Sequence, residues 1–273
     1  LARSVESMGV TIFEHSPVLA VNGKTLRTAE GRIKTDIIVP ATEGFSDRLL
    51  NIKRYVLPVQ SLIVATEPLS QSQWDDIGLA SHPAFSDASR LATYGHRSAD
   101  GRLVFGARGS YDFGGKVRSR FSLDAPEFRL RQRLVHELFP SLRGVRFTHG
   151  WGGTLGIARA FHPFAVFDRQ SGIAHAGGYG GEGVGASNLF GRTLADLILQ
   201  QETLLTSMPW VFRPATYRSA LKAWEPEPLR WLAYQSLLRC FTLEEKLYST
   251  NKITGRGEKL LGSFCDRLAG FME

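Results

Sequence analysis

Fifteen residues, Gly177 to Gly191, contain seven glycines, and no other stretch of the chain restricts its folding as much. Ahead of them runs Ile173-Ala174-His175-Ala176, short and apolar like a strand. Behind them Phe190, Leu194, Leu197 and Ile198 recur at i, i+4, i+7 and i+8, on one helix face. The expected path is a strand, a glycine-rich turn and a helix. Glycines remove each Cβ that would hold a ligand away from the backbone. A helix start adds unpaired N–H groups and about half a positive charge. Together they make a seat for an anion or an electron-rich ring edge. The spacing departs from G-x-G-x-x-G and lacks the Lys of a phosphate loop, so a flatter, less charged group than a pyrophosphate is expected. Such turns also occur without ligands, so the rest of the chain must decide.

The chain has 273 residues, 43% of them hydrophobic and 22% charged. That is ordinary for a globular protein of one or two domains. No run of 18 apolar residues exists, so no membrane span is expected. The net charge of +7 is uneven: Arg90 to Arg133 holds ten Arg or Lys against four Asp or Glu. A basic stretch can attract nucleic acid or an acidic substrate. Without any nucleic-acid module signature it reads as a solvated sheet surface, and a nucleic-acid partner is not expected. No spacing of His, Cys, Asp or Glu suggests a metal. Cys240 and Cys265 form no motif and sit on apolar helical faces. They read as buried free thiols, which fits a reducing, cytoplasmic setting. Leu1 falls inside a helical pattern (Leu1, Val5, Met8) with no initiating Met, so a longer natural protein is expected.

In chain order, Leu1 to Gly9 reads as a helix end capped by Gly9. Val10 to Phe13 and Pro17 to Val21 read as strand, and Lys24 to Thr28 pairs with Arg32 to Thr35 as a hairpin. Asp36 to Gly44 reads as a buried strand of a parallel sheet ending in a turn. Val56 to Thr66 is a strand, and Leu91 to Tyr94 and Arg102 to Phe105 form a hairpin across Asp100-Gly101. Leu130, Leu134, Val135 and Leu138 mark a helix opened by a capping box of Asp124 and Glu127 with Pro126. Val145 to Trp151 is another strand. Two amphipathic helices follow the prolines of the tail. The fold class is mixed α/β. A partial Rossmann-like domain (1–50) receives an inserted antiparallel-sheet domain (51–155), returns at 156–200 and carries a helical extension (201–273).

Four segments in this order resemble the D-amino-acid oxidase-like superfamily of FAD-dependent oxidoreductases: Gly9 to Val18, Asp36 to Gly44, Asp100 to Gly106, and Trp151-Gly152-Gly153 followed by Gly177 to Val184. Within it the chain is similar to amine and amino-acid oxidases of the glutamylputrescine-oxidase and glycine-oxidase kind. The resemblance implies non-covalent FAD. Val18 would hold the adenine through its backbone, and the Ala41-Thr42-Glu43-Gly44 turn would lie along the cofactor. Gly153, Gly178, Tyr179, Gly180, Gly181, Gly183 and Val184 would surround the flavin ring. The inserted sheet would roof the substrate. The family's N-terminal strand and G-x-G-x-x-G are not in this sequence. The Arg that pairs an α-carboxylate in simple amino-acid oxidases has no counterpart beside Trp151; the nearest is Arg159. His96 stands where many relatives have Arg.

The chemistry implied is oxidation of a C–N bond in a small-molecule amine, with oxygen or an unknown acceptor restoring the flavin. The protein's part is to orient and desolvate the amine. Trp151 is expected as a wall, with Tyr94, His96 and Tyr179 as polar groups; strand alternation puts Tyr94 and His96 on one face. Tyr94 and His96 also read as hydrogen-bonded sheet positions. Two other readings stand beside this one: a flavin domain acting on modified tRNA, and a non-catalytic remnant.

Overall fold

The computed structural model describes residues 1–48, 52, 54–81, 84–118, 120–159, 161–213, 217–250 and 255–270. In order, the elements are α1 (Ala2–Ser7), β1 (Ala20–Asn22), β2 (Thr25–Arg27), β3 (Arg32–Lys34), β4 (Val56–Thr66), α2 (Gln71–Asp76), β5 (Ala84–Ser86), β6 (Thr93–Arg97) and β7 (Leu103–Ser110). Then follow α3 (Pro126–Leu138), β8 (Phe147–Ala158), β9 (Phe164–Asp168), β10 (Ile173–Gly177), α4 (Gly183–Ile198), β11 (Val211–Phe212), α5 (Tyr217–Ala220), α6 (Leu229–Ser249) and α7 (Arg256–Gly270).

The largest sheet has strand order β5-β6-β7-β4-β8, all pairs antiparallel. Alternation divides its side chains. Leu62 and Val64 of β4, with Leu103, Phe105 and Ala107 of β7, pack under α3 through Phe128 and Val135 and under α2 through Trp74. Arg131 of α3 is buried there and donates to the carbonyls of Leu62, Ala107 and Glu127. Much of the basic stretch is likewise engaged internally: Arg118 pairs Glu127, Arg102 pairs Asp100, and Arg90 pairs Glu244 and Asp266.

On the opposite face, the end of β4 carrying Leu57 and Val59 packs with Trp224, Tyr234 and Leu237 of the tail. The other end of that face is left open. A second sheet, β10-β9-β11, carries Ala165, Ala174 and Ala176 against α4 through Phe190 and Leu194. Its other side packs Phe164, Val166 and Ile173 against Val56 and Ala158. β1-β2-β3 form a small separate sheet.

The strand–turn–helix around the glycines, the hairpins and the long β4 match the sequence expectations. Four expectations are corrected. Val10 to Phe13 is not a strand: Val10, Ile12 and Phe13 are exposed, and no strand among the described residues pairs with them. Of Asp36 to Gly44 only Ile38 pairs, in a parallel bridge to Ile173, and Val39 is exposed. The α3 N-cap is Ala125, with no side-chain cap; Glu127 is drawn to Arg118 instead. Cys240 and Cys265 are not free thiols: they are disulfide-bonded and join α6 to α7. That pairing removes the argument from free thiols to a reducing compartment.

Candidate active site

β8 organises the site because it is an edge strand 12 residues long. Its free edge near the end takes the glycine loop. The Gly180 amide donates to the Gly156 carbonyl at 2.9 Å, and Tyr179 bridges Ile157. A Cβ on Gly178 would stand 2.7 Å from that of Ala158, and Gly178 has φ of 79°. Only glycine suits such a backbone at that separation.

The turn before the 3-10 segment 43–48 reaches the same place. A Cβ on Gly44 would stand 2.5 Å from the Thr154 carbonyl oxygen, so this glycine serves the packing of the turn on β8. The Glu43 carboxylate crosses to the loop and accepts from the amides of Gly178 (3.1 Å) and Tyr179 (2.9 Å). Burial pushes the Glu43 carboxyl above the usual carboxylate range, against the pull of the amides of Tyr179, Gly178 and Gly156. The Tyr179 ring packs on Phe190 of α4 with centroids 5.5 Å apart. Burial, and then the Glu43 charge, raise its phenol to about 12.

The expectation that the whole loop would present its amides to a ligand therefore needs correction. Those of Gly178, Tyr179 and Gly180 are already satisfied by the protein. The α4 start is different. Glu182, its N-cap, makes no side-chain cap bond, and Val184 is 96% exposed. A Cβ on Gly180 or Gly185 would meet nothing within 4 Å. This is open room beside unsatisfied helix-start N–H groups, and it fits the edge of a ring that gains electron density. Gly181, Gly183 and Val184 belong to this open part. Gly178 and Tyr179 hold it in place.

The open face of the five-stranded sheet starts on the same strand. The register places Tyr94, Gly106, Ile63 and Trp151 in one row across β6, β7, β4 and β8. Tyr94 and Trp151 are 39% and 42% exposed. The Tyr94 ring lies over Gly106, where a Cβ would collide with it. Its hydroxyl bonds Ser61 Oγ at 3.2 Å. The next row is His96, Val104, Ala65 and His149. A Cβ on Gly153 would meet nothing within 4 Å. Tyr94 and His96 thus share one face, as strand alternation suggests, the register adds Trp151 to it, and Gly153 lies on β8 between Trp151 and the loop.

Other candidates are placed elsewhere. Val18 sits ahead of β1 with an exposed side chain, and Ala41 is exposed. Thr42 bonds Ser46 at 2.9 Å. Arg159 is buried, lies over the Trp224 ring and pairs with Glu225 at 2.9 Å, so it is engaged with the tail. With His162 it lines a cavity of about 440 Å³ at the far end of β8 from Trp151. Ser61 and His149 were not picked out in the sequence, and Glu43 was placed in the turn along the cofactor without a role for its side chain. The one sequence signal for that role is an acid in a turn where glycine or a small residue would suffice. No cluster of His, Cys, Asp or Glu among the described residues suits a metal ion. No helix among them is long and apolar enough to cross a membrane.

The glycine loop thus docks on an edge strand, beside an open helix start and an aromatic sheet face, within a mixed α/β fold. Residues 1–197 match the family described as FAD dependent oxidoreductase, and the chain belongs to that family of FAD-binding enzymes. It is 32% identical over 227 residues to a probable oxidoreductase OrdL of Haemophilus influenzae, covering 80% of this chain and 49% of the relative. It is 26% identical over 203 residues to the gamma-glutamylputrescine oxidoreductase of Escherichia coli, covering 72% and 45%. Among solved structures, L-proline dehydrogenase from P. horikoshii superposes with a TM-score of 0.64 at 19% identity, covering 81% of this chain and 59% of that one. Glycine oxidase from Geobacillus kaustophilus gives 0.62 at 19% identity, covering 77% and 55%. These two show the fold. The chain spans about half the length of the curated relatives it matches.

Proposed function

We propose that this chain forms the flavin-ring and substrate side of an FAD-dependent oxidoreductase acting on the C–N bond of an amine. The observation that carries the reading is β8 itself, which docks the glycine loop at one end and carries Trp151 on an open face at the other. The α4 start would hold the electron-rich edge of the ring, and Gly153 leaves room beside it. FAD, when bound, supplies the acceptor for a hydride leaving the carbon next to nitrogen; the imine so formed is hydrolysed by water. The chain's own residues do the rest. Trp151 and Tyr94 form an apolar wall that excludes water, while His96 and His149 offer polar contacts along the next row. Their work is to orient a neutral amine.

An amine without a free α-carboxylate is favoured, because Arg159 is committed to Glu225. The segments 1–50, 51–155, 156–200 and 201–273 are proposed as working units. The tRNA reading gains nothing here, since much of the basic stretch is paired within the fold. Anaerobic mixing of FAD-loaded protein with a panel of amines and amino acids tests the proposal. Bleaching of the flavin absorbance by amines is the expected result; no bleaching by any member of the panel overturns it.

A further inference from the structure

Glu43 joins three segments. It begins the 3-10 turn after the Ala41-Thr42 approach, its carboxylate meets the loop at Gly178 and Tyr179, and it lies against β8 at Gly156. A Cβ on Gly156 would stand 2.6 Å from Glu43 Oε2, and one on Gly177 would stand 3.0 Å away. Two glycines therefore make room for a side chain of the protein. Glu43 also holds φ of 39°, a left-handed backbone that is strained for a residue with a Cβ. The strain persists because the carboxylate is bonded at the far end. The titratable neighbours are Tyr179 in the loop and His175 on β10. His175 Nε2 would lie 3.4 Å from the same Cβ on Gly177. Burial drives the His175 imidazole down to about 3 and so keeps it neutral. The groups acting on the carboxyl are its own burial and three backbone amides, with no cation among them.

We propose that Glu43 is a positioning residue for the cofactor: it is the built-in anion that fixes the loop entry on β8 and leaves the Gly183 to Gly185 amides to meet the flavin. The proposal rests on the reading of the loop as the flavin's seat. Its charge also opposes electron density arriving on a ring held by that loop.

The test uses the full chain and the variants E43A, E43Q and E43D. In flavin-free protein, hydrogen exchange across residues 176–183 is expected to quicken about tenfold or more in E43A, by less in E43Q, and least in E43D. Peptides of β4 should be unchanged. Equal exchange in wild type and E43A overturns the proposal; if E43A does not fold, E43Q decides by the same comparison. With FAD, the dissociation constant should weaken about tenfold in E43A, and the midpoint potential of bound FAD should rise in E43Q. A purely structural role leaves that potential where it was, and an unchanged potential overturns the electrostatic part. If the exchange difference is present but FAD, once bound, does not slow exchange at Gly183 to Gly185, the clamp stands and the flavin reading of the loop falls.

Discussion

The two ends of β8 are built on opposite plans. Near Gly156 and Ala158 everything is clamped: Glu43, the Gly178 and Tyr179 amides, the Gly180 bond and the close seat of Gly44 under Thr154. Near Trp151 the side chains stand on a bare face with little over them. The clamped end holds backbone geometry, which a cofactor common to a family would need. The open end holds side chains, which can vary with the substrate at small cost in stability. On the proposed reading, stability and specificity are separated along one strand by about 20 Å, at roughly 3.3 Å per residue from Trp151 to Ile157.

The sharpest way to break that comparison is a matched pair of glycine substitutions. Gly44→Val pushes a side chain into the Thr154 carbonyl, while Gly153→Val enters open space. The first should cost about 2–3 kcal/mol by overpacking; the second should stay within about 0.5 kcal/mol. Urea unfolding midpoints measure both. Equal costs would mean that the two ends are not differently built. Next in size is Gly178→Ala, which meets the Ala158 Cβ at 2.7 Å as well as the strain of φ 79°, and should cost about 1–3 kcal/mol. Gly180→Ala has φ of 61° but free space, so strain alone, about 1 kcal/mol, should remain.

How much of this was legible beforehand follows from which interactions are local. The glycine loop was readable because Gly178 and Gly180 sit between a β-run and a helical period, all within some thirty residues. The Tyr94 and His96 face was readable from alternation alone. The row joining Tyr94 to Trp151 was not, because it depends on the register of four strands drawn from residues 61–151. The contact of Glu43 with the loop was hidden for the same reason: its partners lie 135 and 136 residues away. The Asp124 capping box failed because a local signal met a stronger tertiary one, the Arg118 ion pair on Glu127. The disulfide was not legible because it depends on how α6 packs on α7, which two cysteines 25 residues apart do not show in sequence.

A smaller effect lies in the pH dependence of stability, where Glu43 can be set against Asp87 at the sheet's far edge. For Glu43, burial raises the folded value above the ordinary 4.5. The stability it contributes is present below that ordinary value and lost as pH rises through the folded one. Asp87 is the reverse. Burial works to raise it, but donors on Thr93 and Ser89 prevail and hold it below 3.8. Its contribution is present above 3.8 and lost as pH falls through the depressed value. E43Q should therefore flatten the loss of thermal stability on the rise just above pH 4.5, and D87N the loss on the fall just below pH 3.8. If both variants change the same limb, the assignment of buried charge to the clamped end is wrong.

The smallest stability effect should come with the largest effect on substrate. Trp151 is 42% exposed and its neighbours in the row are Ile63 and, beyond Gly106, Tyr94. Removing the indole leaves no enclosed cavity, so Trp151→Ala should change unfolding by no more than about 0.5 kcal/mol. On the proposed reading this wall keeps water from the amine, and losing it should raise KM for an amine about tenfold, since each 1.4 kcal/mol of lost binding is a factor of ten. FAD affinity should be unchanged, because the loop and Glu43 are untouched. If Trp151→Ala instead weakens FAD and leaves KM alone, the open end belongs to the cofactor, and substrate must be sought on another face.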